Sequence, residues 1–511
     1  MLPTTSGGSS YAAMLANERE LRRLVIDIAV ALESGDLITL SGDLGAGKTA
    51  FARALIRHLA GDASIAVPSP TFTLMQIYDL PPFSLVHADL YRLEGPGELA
   101  ELGFDDLPKG AVVLLEWPDR AAGFLPADRL DIAFTLAPQL GAEHRNVRLT
   151  GYGSFTRRAE RMYAIRSFLD AAGYVEAERE RIQGDASTRS YERLRLGDQR
   201  AILMNSPRRP DGPPVRNGKP YSAIAHLAED VKPFVAMANG LRQIGLSAPQ
   251  ILEADLEDGL LIIEDLGNEA VVAGGPPAPI EERYATAVDV LVALHGERLP
   301  EVLPLAPHVT YRIPRYDIDA LLIEVELLLD WYMPRLGLAM SDTTRTVFVE
   351  LWREALAPIL DSFPSWVLRD FHSPNLLWLP HRQGVQRIGL LDFQDAMLGP
   401  AAYDLASLLQ DARVDVPELT EVTLLSRYAR GRRAADPNFD PPSFIKTYST
   451  LAAQRASKVL GIFVRLAVRD GKTQYLRHIP RVWAYLQRAL AHPSLAQLNA
   501  WYGAHLVEFK P

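Results

Sequence analysis

The 511-residue sequence contains no cysteine. That excludes disulfides, thiolate nucleophiles and cysteine-held zinc or iron–sulfur centres, and it fits a reducing compartment. No apolar run approaches the ~18 residues that a membrane helix needs. The opening MLPTTSGGSSYAAML lacks the basic start and long apolar core of a secretory signal. No membrane contact is expected, and the cytoplasm is the expected location. Lysine is scarce, 8 of the 53 basic residues, the other 45 being arginine. Each lysine beside a phosphate-like motif therefore stands out. A surplus of positive charge is missing too. The formal charge is −10, which argues against direct sequence-specific nucleic-acid binding, since such proteins carry a basic footprint.

What is present is a globular balance, 48% hydrophobic and 23% charged. At ~100–200 residues per domain the length predicts two to four domains. Residues 1–150 carry 12 basic and 19 acidic side chains, a net of −7, and the remaining 361 carry −3. At Gly151–Arg161 a glycine- and serine-containing basic stretch, GYGSFTRRAER, follows the strand-like Asn146–Thr150 and reads as a boundary. The expected domains are 1–152, a linker at 153–160, and 161–511, the last with one lobe over about 161–265 and a helical lobe over about 266–511. A second break falls at Gly274–Pro279, and Ser206–Pro220 reads as a mobile loop. In the first segment, strands at Asp36–Ser41, Ser84–His87 and Ala111–Leu115 interleave with helix Lys48–Leu59. That order predicts an α/β domain with a mostly parallel sheet. After Ile280 the pattern is helical, at Tyr284–Leu294, Ile318–Trp331 and Thr343–Leu360, with short strands at Trp366–Leu368 and Ile388–Leu391. That order predicts an α+β, two-lobed second domain.

Gly42-Asp43-Leu44-Gly45-Ala46-Gly47-Lys48-Thr49 fits G-x-x-x-x-G-K-[ST] without a mismatch, between a strand and a helix. Its glycines let the backbone curl so that N–H groups face phosphate oxygens, and the helix start adds partial positive charge. Lys48 is expected to meet the β/γ-phosphates of ATP, and Thr49 to ligate Mg2+. A second match, Gly471-Lys472-Thr473, has Leu466 where the leading glycine belongs and reads as chance. A phosphate loop needs a magnesium-side carboxylate at a neighbouring strand end. Glu116, after the apolar Ala111–Leu115, offers one; its plain alternative is a strand cap. Asp89, in His87-Ala88-Asp89-Leu90-Tyr91-Arg92, is placed to orient an attacking water, or is a turn former. Pro68-Ser69-Pro70-Thr71-Phe72 is a stiff segment with two hydroxyls, suited to sensing a γ-phosphate or simply a loop.

Taken in order, GDLGAGKT, PSPTFT, HADLYR and LLEWP resemble the bacterial TsaE family over about residues 15–150. The resemblance implies a small P-loop ATPase with Glu116 on magnesium and Asp89 needed for hydrolysis. It also implies work beside two partner proteins, TsaD- and TsaB-like subunits, that transfer a threonylcarbamoyl group to adenosine 37 of tRNA.

Further on, Arg369-Asp370-Phe371-His372-Ser373-Pro374-Asn375 contains the D-x-x-x-x-N spacing of a kinase catalytic loop. Asp370 is the candidate base for a substrate hydroxyl and Asn375 a candidate metal ligand. Seventeen residues after Asn375, the strand-like Ile388–Leu391 delivers Asp392, a second candidate ligand. His372 reads as a substrate contact or a packed histidine. GDASTRSYERL, LIIEDLG, VLRDFHSPNLLWL and GLLDFQDAMLGPAAYDLASLLQDAR resemble the aminoglycoside-phosphotransferase-like kinases, and most of all the AmgK subfamily, across residues 180–415. The resemblance implies phosphorylation of the anomeric hydroxyl of N-acetylmuramate and N-acetylglucosamine. It implies that Gly184–Tyr191, with Ser187 and Arg189, lies over ATP, that Glu264-Asp265-Leu266 is the hinge beside adenine, and that Asp404 braces the catalytic loop. One departure stands out. Such kinases carry a lysine on the third strand, and here Met204 occupies about that position. Arg189, Lys219 and Lys232 are the candidates to replace it. The expectation is a fusion of a tRNA-modification ATPase with a magnesium-dependent sugar kinase. The rivals are a kinase for a cationic amino alcohol or aminoglycoside, and a pair of nucleotide-gated scaffold modules.

Overall fold

Leu37–Ser41 is buried on both faces through Leu40, as a strand covered on both sides is. In the computed structural model it is β2, at the heart of a seven-stranded sheet. The structure describes residues 9–81, 83–93, 98, 107–121, 123–141, 143–182, 189–360 and 364–506. It divides into two compact units, 1–203 and 204–511. In the first unit β1 (Ser9–Leu15), α1 (Glu18–Ala31), β2 and α2 (Lys48–Ala60) precede β3 (Met75–Asp79), β4 (Ser84–Asp89) and β5 (Val112–Glu116). Then come β6 (Arg129–Leu136), β7 (Arg145–Tyr152) and α3 (Phe155–Ala171). The strand order is β1-β7-β6-β2-β5-β4-β3. The central pairs β2–β5, β2–β6 and β4–β5 are parallel, and the outer pairs β1–β7, β6–β7 and β3–β4 antiparallel. The sheet is thus mixed, with the parallel part in the middle. Parallel neighbours end at the same edge, so β4 and β5 bring Asp89 directly opposite Glu116 in register.

The stretch 153–160, read from the sequence as a linker, holds the start of helix α3. Arg157 is exposed, but other arginines of this helix turn inward. Arg158 meets the Asp36 carboxylate at 2.6 and 2.8 Å. Arg166 grips both oxygens of the buried Asp27 at 2.6 and 2.9 Å. Arg179, on the following strand β8 (Glu178–Ile182), also reaches Asp27 and holds Glu192 of strand β9 (Ser190–Leu196) at 2.6 and 3.0 Å. Phe155, Ala159, Met162, Ile165 and Leu169, spaced three and four apart, bury one face of this helix. Buried carboxylates from distant elements add ion pairs to it.

In the second unit, Ser206–Pro220 is not all loop. Pro214–Arg216 pairs with Lys219–Pro220 across Asn217 (φ 49°) and Gly218 (φ 74°), an Asn-Gly turn that admits the positive φ a tight hairpin demands. A second hairpin joins Ile251–Asp255 to Leu260–Glu264. The rest is mainly helical, with Glu281–Gly296, Ile318–Leu327, Asp342–Leu360 and Ala402–Leu409 ahead of the central Pro441–Arg469. The helix expected over Ile318–Trp331 switches at Leu328–Tyr332 to a wider π-helical turn. Two short strand pairs, Ser365–Val367 with Met397–Gly399 and Leu376–Trp378 with Ile388–Leu390, frame the loop that carries Asp370. Among the described residues no helix is long and apolar enough to cross a membrane.

Candidate active sites

The loop Gly42–Thr49 leaves β2 and enters α2. Gly42, Gly45 and Gly47 have φ of 131°, 79° and 110°. A Cβ at Gly42 would lie 2.3 Å from the Phe134 carbonyl oxygen, so no other residue fits there. Asp43 to Ala46 close the curl with one backbone bond of 3.1 Å, while Leu44 at the tip is exposed. Lys48 opens α2 and is buried. Its Nζ donates to the carbonyls of Gly42 and Asp43 at 2.7 and 3.0 Å and stands 3.9 Å above the Trp117 ring. Burial pulls its pKa down, against the opposing pull of Glu116, Asp89 and Asp43. The Arg145 side chain lies beside Gly47.

Thr49 Oγ1 donates to Glu116 Oε2 at 3.0 Å. The strand-end acid and the loop hydroxyl named from the sequence are therefore neighbours. Glu116 Oε1 is held at 2.9 Å by Nε2 of the fully buried His87. Its other nitrogen has no partner among the described residues. A carboxylate needs a donor, so the proton sits on Nε2. Asp89 Oδ2 accepts from Ser69 Oγ at 3.0 Å and from Thr71 Oγ1 at 2.8 Å, and its Oδ1 accepts from the Tyr91 amide at 2.9 Å. The Pro68–Phe72 segment is thus tied to Asp89. His87 and Trp117 lay inside quoted motifs but had no role assigned. A histidine two residues before a strand-end acid, on the same face of the strand, was the available signal for the first.

In the second unit, Asp370 follows Arg369, whose backbone is left-handed at φ 68°. Asp404 holds this turn, accepting the Leu368 and Arg369 amides at 2.7 and 2.8 Å. Burial nevertheless pushes its carboxyl up to about 7. Asp411 accepts from the Ser373 amide and hydroxyl at 3.0 and 2.6 Å. The Arg369 guanidinium is buried against Glu324 and donates to the Ala225 carbonyl at 3.0 Å. Glu324 also accepts from Tyr316 and Gln454 and meets Lys458 at 2.9 Å. Burial would raise its pKa, but Lys458, Arg369 and these donors together bring it down to about 2.

The Asp370 side chain is 37% exposed. Within 4 Å of its Oδ1 stand His372 Nε2, at 3.8 Å, and Arg455 Nη2, at 3.9 Å. Burial pushes its pKa up, but His372, Lys458, Arg455 and Arg369 outweigh that and lower it, so the carboxylate is ionised and free to accept a proton. Asn375 Nδ2 donates to the Asp370 carbonyl at 3.0 Å and faces Asp392 Oδ2 at 3.5 Å. With the amide nitrogen so engaged, the amide oxygen of Asn375 is the atom suited to a metal ligand. Gln394 holds the other Asp392 oxygen at 2.9 Å. Asp370, Asn375 and Asp392 are thus gathered.

Other sequence candidates fall elsewhere. Glu264 ends its strand, but its side chain is bound by Arg242 at 3.4 Å and by Arg382, and its amide donates to the Gln250 carbonyl at 2.9 Å. Ser187 lies outside the described residues. Arg189 is half-buried just before β9. Met204 is buried. Lys232 sits between Asp230 at 3.8 Å and Glu257 at 3.6 Å, and Lys219 is exposed on its hairpin. Gly471-Lys472-Thr473 is a turn past the helix end at Arg469, with Leu466 inside the helix.

Residues 15–146 match the family model for the threonylcarbamoyl adenosine biosynthesis protein TsaE. Residues 178–439 match the phosphotransferase enzyme family, APH. The N-acetylmuramate/N-acetylglucosamine kinase of Caulobacter vibrioides is 38% identical over 364 residues, 69% of this chain and 98% of its own. The enzyme of the same name from Pseudomonas aeruginosa is 33% identical over 321 residues, 62% of this chain and 85% of its own. The TsaE protein of Rickettsia bellii is 36% identical over 123 residues, 24% of this chain and 85% of its own. Both families use ATP, and the two matches occupy separate stretches. The chain belongs to the TsaE family through residues 15–146 and to the phosphotransferase enzyme family, beside its N-acetylmuramate/N-acetylglucosamine kinases, through residues 178–439.

Proposed function

We propose that the protein is bifunctional, an ATPase subunit of the tRNA N6-threonylcarbamoyladenosine machinery fused to an anomeric kinase of N-acetylmuramate and N-acetylglucosamine. The observation that carries the kinase half is the setting of Asp370, a half-exposed carboxylate whose cationic neighbours, Lys458, Arg455 and Arg369, favour its ionised form. That setting suits proton removal from a neutral or acidic acceptor. It repels the cationic amino alcohols and aminoglycosides that were the rival acceptors.

In this reading Asp370 takes the proton as the sugar hydroxyl oxygen attacks the γ-phosphorus of ATP and the β–γ bridging bond breaks. The Asn375 amide oxygen and Asp392 hold Mg2+ in the second unit, and Thr49 with Glu116 hold it in the first. Bound magnesium offsets phosphate charge. In the first unit Lys48 exchanges its two carbonyl partners for phosphate oxygens, while Asp89, fixed by Ser69 and Thr71, orients the attacking water. The backbone at Glu264-Asp265-Leu266 meets adenine, and Arg189 and Ser187 act on the phosphates. The first unit works with TsaD- and TsaB-like partners, in the cytoplasm where ATP is supplied. Product chemistry is the test of the sugar reading. Incubation with ATP and N-acetylglucosamine should give an acid-labile phosphate that has lost the reducing end. A product that keeps its reducing end refutes the anomeric assignment, and a chain that phosphorylates only choline-like or aminoglycoside acceptors refutes the substrate class.

A further inference from the structure

Asp27 is a buried carboxylate on α1, beside the buried Ile26 and Ile28, and neither proposed reaction uses it. Its oxygens receive two arginines from beyond the TsaE-like stretch. Arg166 of α3 donates to both, at 2.9 and 2.6 Å, and Arg179 of β8 donates to Oδ1. Arg179 in turn holds Glu192 of β9 with two bonds, at 2.6 and 3.0 Å. All four side chains are less than a tenth exposed. Two carboxylates meet two guanidinium groups, so the cluster is balanced, as buried ions require. The cluster also crosses the border between the two families. Asp27 lies within residues 15–146, and Arg179 and Glu192 lie within 178–439. More exposed pairs join the same elements, Arg22 to Glu178 at 3.0 Å and Arg19 to Glu176 at 2.6 Å. The first compact unit, 1–203, accordingly holds β8 and β9 together with the seven-stranded sheet.

Strands β8 and β9 pair antiparallel, with Arg181 opposite Glu192. A carboxylate on α1 that holds Arg179, and through it Glu192, therefore fixes both strands at once. Strand β9 starts at Ser190, directly after Arg189. Glu192 is three residues further on, ~10 Å at the rise of a strand. Met204 stands about where a phosphate-binding lysine is expected, and Arg189 is the cation that the reading above gives to the phosphates. We propose that Asp27, supplied by the TsaE-like half, is a positioning residue for the kinase reaction, setting through Arg179 and Glu192 the strand that presents Arg189 to ATP. The ATPase half is then part of the kinase's framework, which is a physical reason for the two to share a chain. The inference rests on the sugar-kinase reading, in which Arg189 meets the phosphates.

The test uses the full chain with Asp27→Asn and, separately, Glu192→Gln, each of which removes one buried charge and keeps the side-chain shape. The readout is KM for ATP against KM for N-acetylglucosamine in sugar phosphorylation, because an unfolded fraction lowers kcat and leaves KM alone. Each variant should raise KM for ATP by roughly tenfold, a mid-range coupling between side chains in contact, with KM for the sugar unchanged. In an Arg179→Met background, Asp27→Asn should raise KM for ATP no further, and a full additional rise overturns the path through Arg179. An unchanged KM for ATP in either single variant overturns the inference. So does an equal rise in both KM values, or a parallel loss of ATP hydrolysis at the P-loop site, because a merely structural cluster loosens everything it joins. A wild-type chain that phosphorylates neither N-acetylglucosamine nor N-acetylmuramate overturns the sugar reading and this inference with it.

Discussion

Asp370 and Asp392, from two different loops, both meet Asn375, yet their surroundings give them different work. Asp370 faces His372 and Arg455 and is open to solvent. Asp392 is held by Gln394 and faces Asn375. Asp370→Asn keeps the shape and removes the base, so phosphorylation should fall by about 10²–10⁴-fold, with ATP affinity nearly unchanged. Asp392→Asn should weaken magnesium dependence and nucleotide affinity together. Steady-state kinetics with varied magnesium checks both, and full activity in Asp370→Asn would refute the catalytic-loop assignment. These acids were legible because each sits in a contiguous pattern, a strand followed by its acid. The same holds for Gly42–Thr49, Asp89 and Glu116. Glu324 and Lys458 were not legible. Glu324 gains its meaning only by meeting Arg369, Lys458, Tyr316 and Gln454, and no local spacing announces a meeting between distant segments.

At the scale of elements, the helices Ile318–Leu327 and Pro441–Arg469 depend on each other. A Cβ on Gly461 would lie 2.4 Å from the Leu327 carbonyl carbon. Alanine ordinarily favours a helix over glycine by about 1 kcal/mol, but here the added methyl meets backbone, which cannot swing aside. Gly461→Ala should therefore cost roughly 1–3 kcal/mol as overpacking does, read as a lower urea midpoint. A stabilised variant would show that the helices do not pack this closely. The same pair is joined by Glu324, whose pKa near 2 lies below its ordinary 4.5. A depressed carboxyl stabilises the fold fully above the ordinary value, and that contribution is lost as pH falls from about 4.5 toward 2. Glu324→Gln removes this proton linkage. It should be less stable at neutral pH, because Arg369 and Lys458 lose their counter-charge, and its stability should fall less steeply across the acid window. Parallel acid and urea titrations check this, and equal acid slopes would contradict it. The helix of Glu324 was read from its apolar run, but its π-helical end and the Gly461 contact were not, because both are set by what packs against them.

For the whole molecule, the order of families was legible, since each motif set lies in one stretch. The junction was harder to read. Arg158 fell inside the stretch read as a linker, yet 155–171 is a helix whose apolar spacing buries one face and whose Arg158 and Arg166 pair with Asp36 and Asp27. The motif residues of the two proposed sites do not overlap. Lys48 is bonded to its own loop and Trp117, whereas Asp370 depends on Asp404, Arg455 and Lys458. Lys48→Ala removes the cation that meets the β/γ-phosphates, so ATP hydrolysis by the TsaE-like half should be lost. Sugar phosphorylation should persist in that variant, and Asp370→Asn should show the reverse pattern. The two assays are run on the same full-length preparations, with folding checked by thermal melting. Separate loss is the outcome expected of two sites. Joint loss in either folded variant would mean that one nucleotide site serves both reactions, and the reading of two independent catalytic centres would fall.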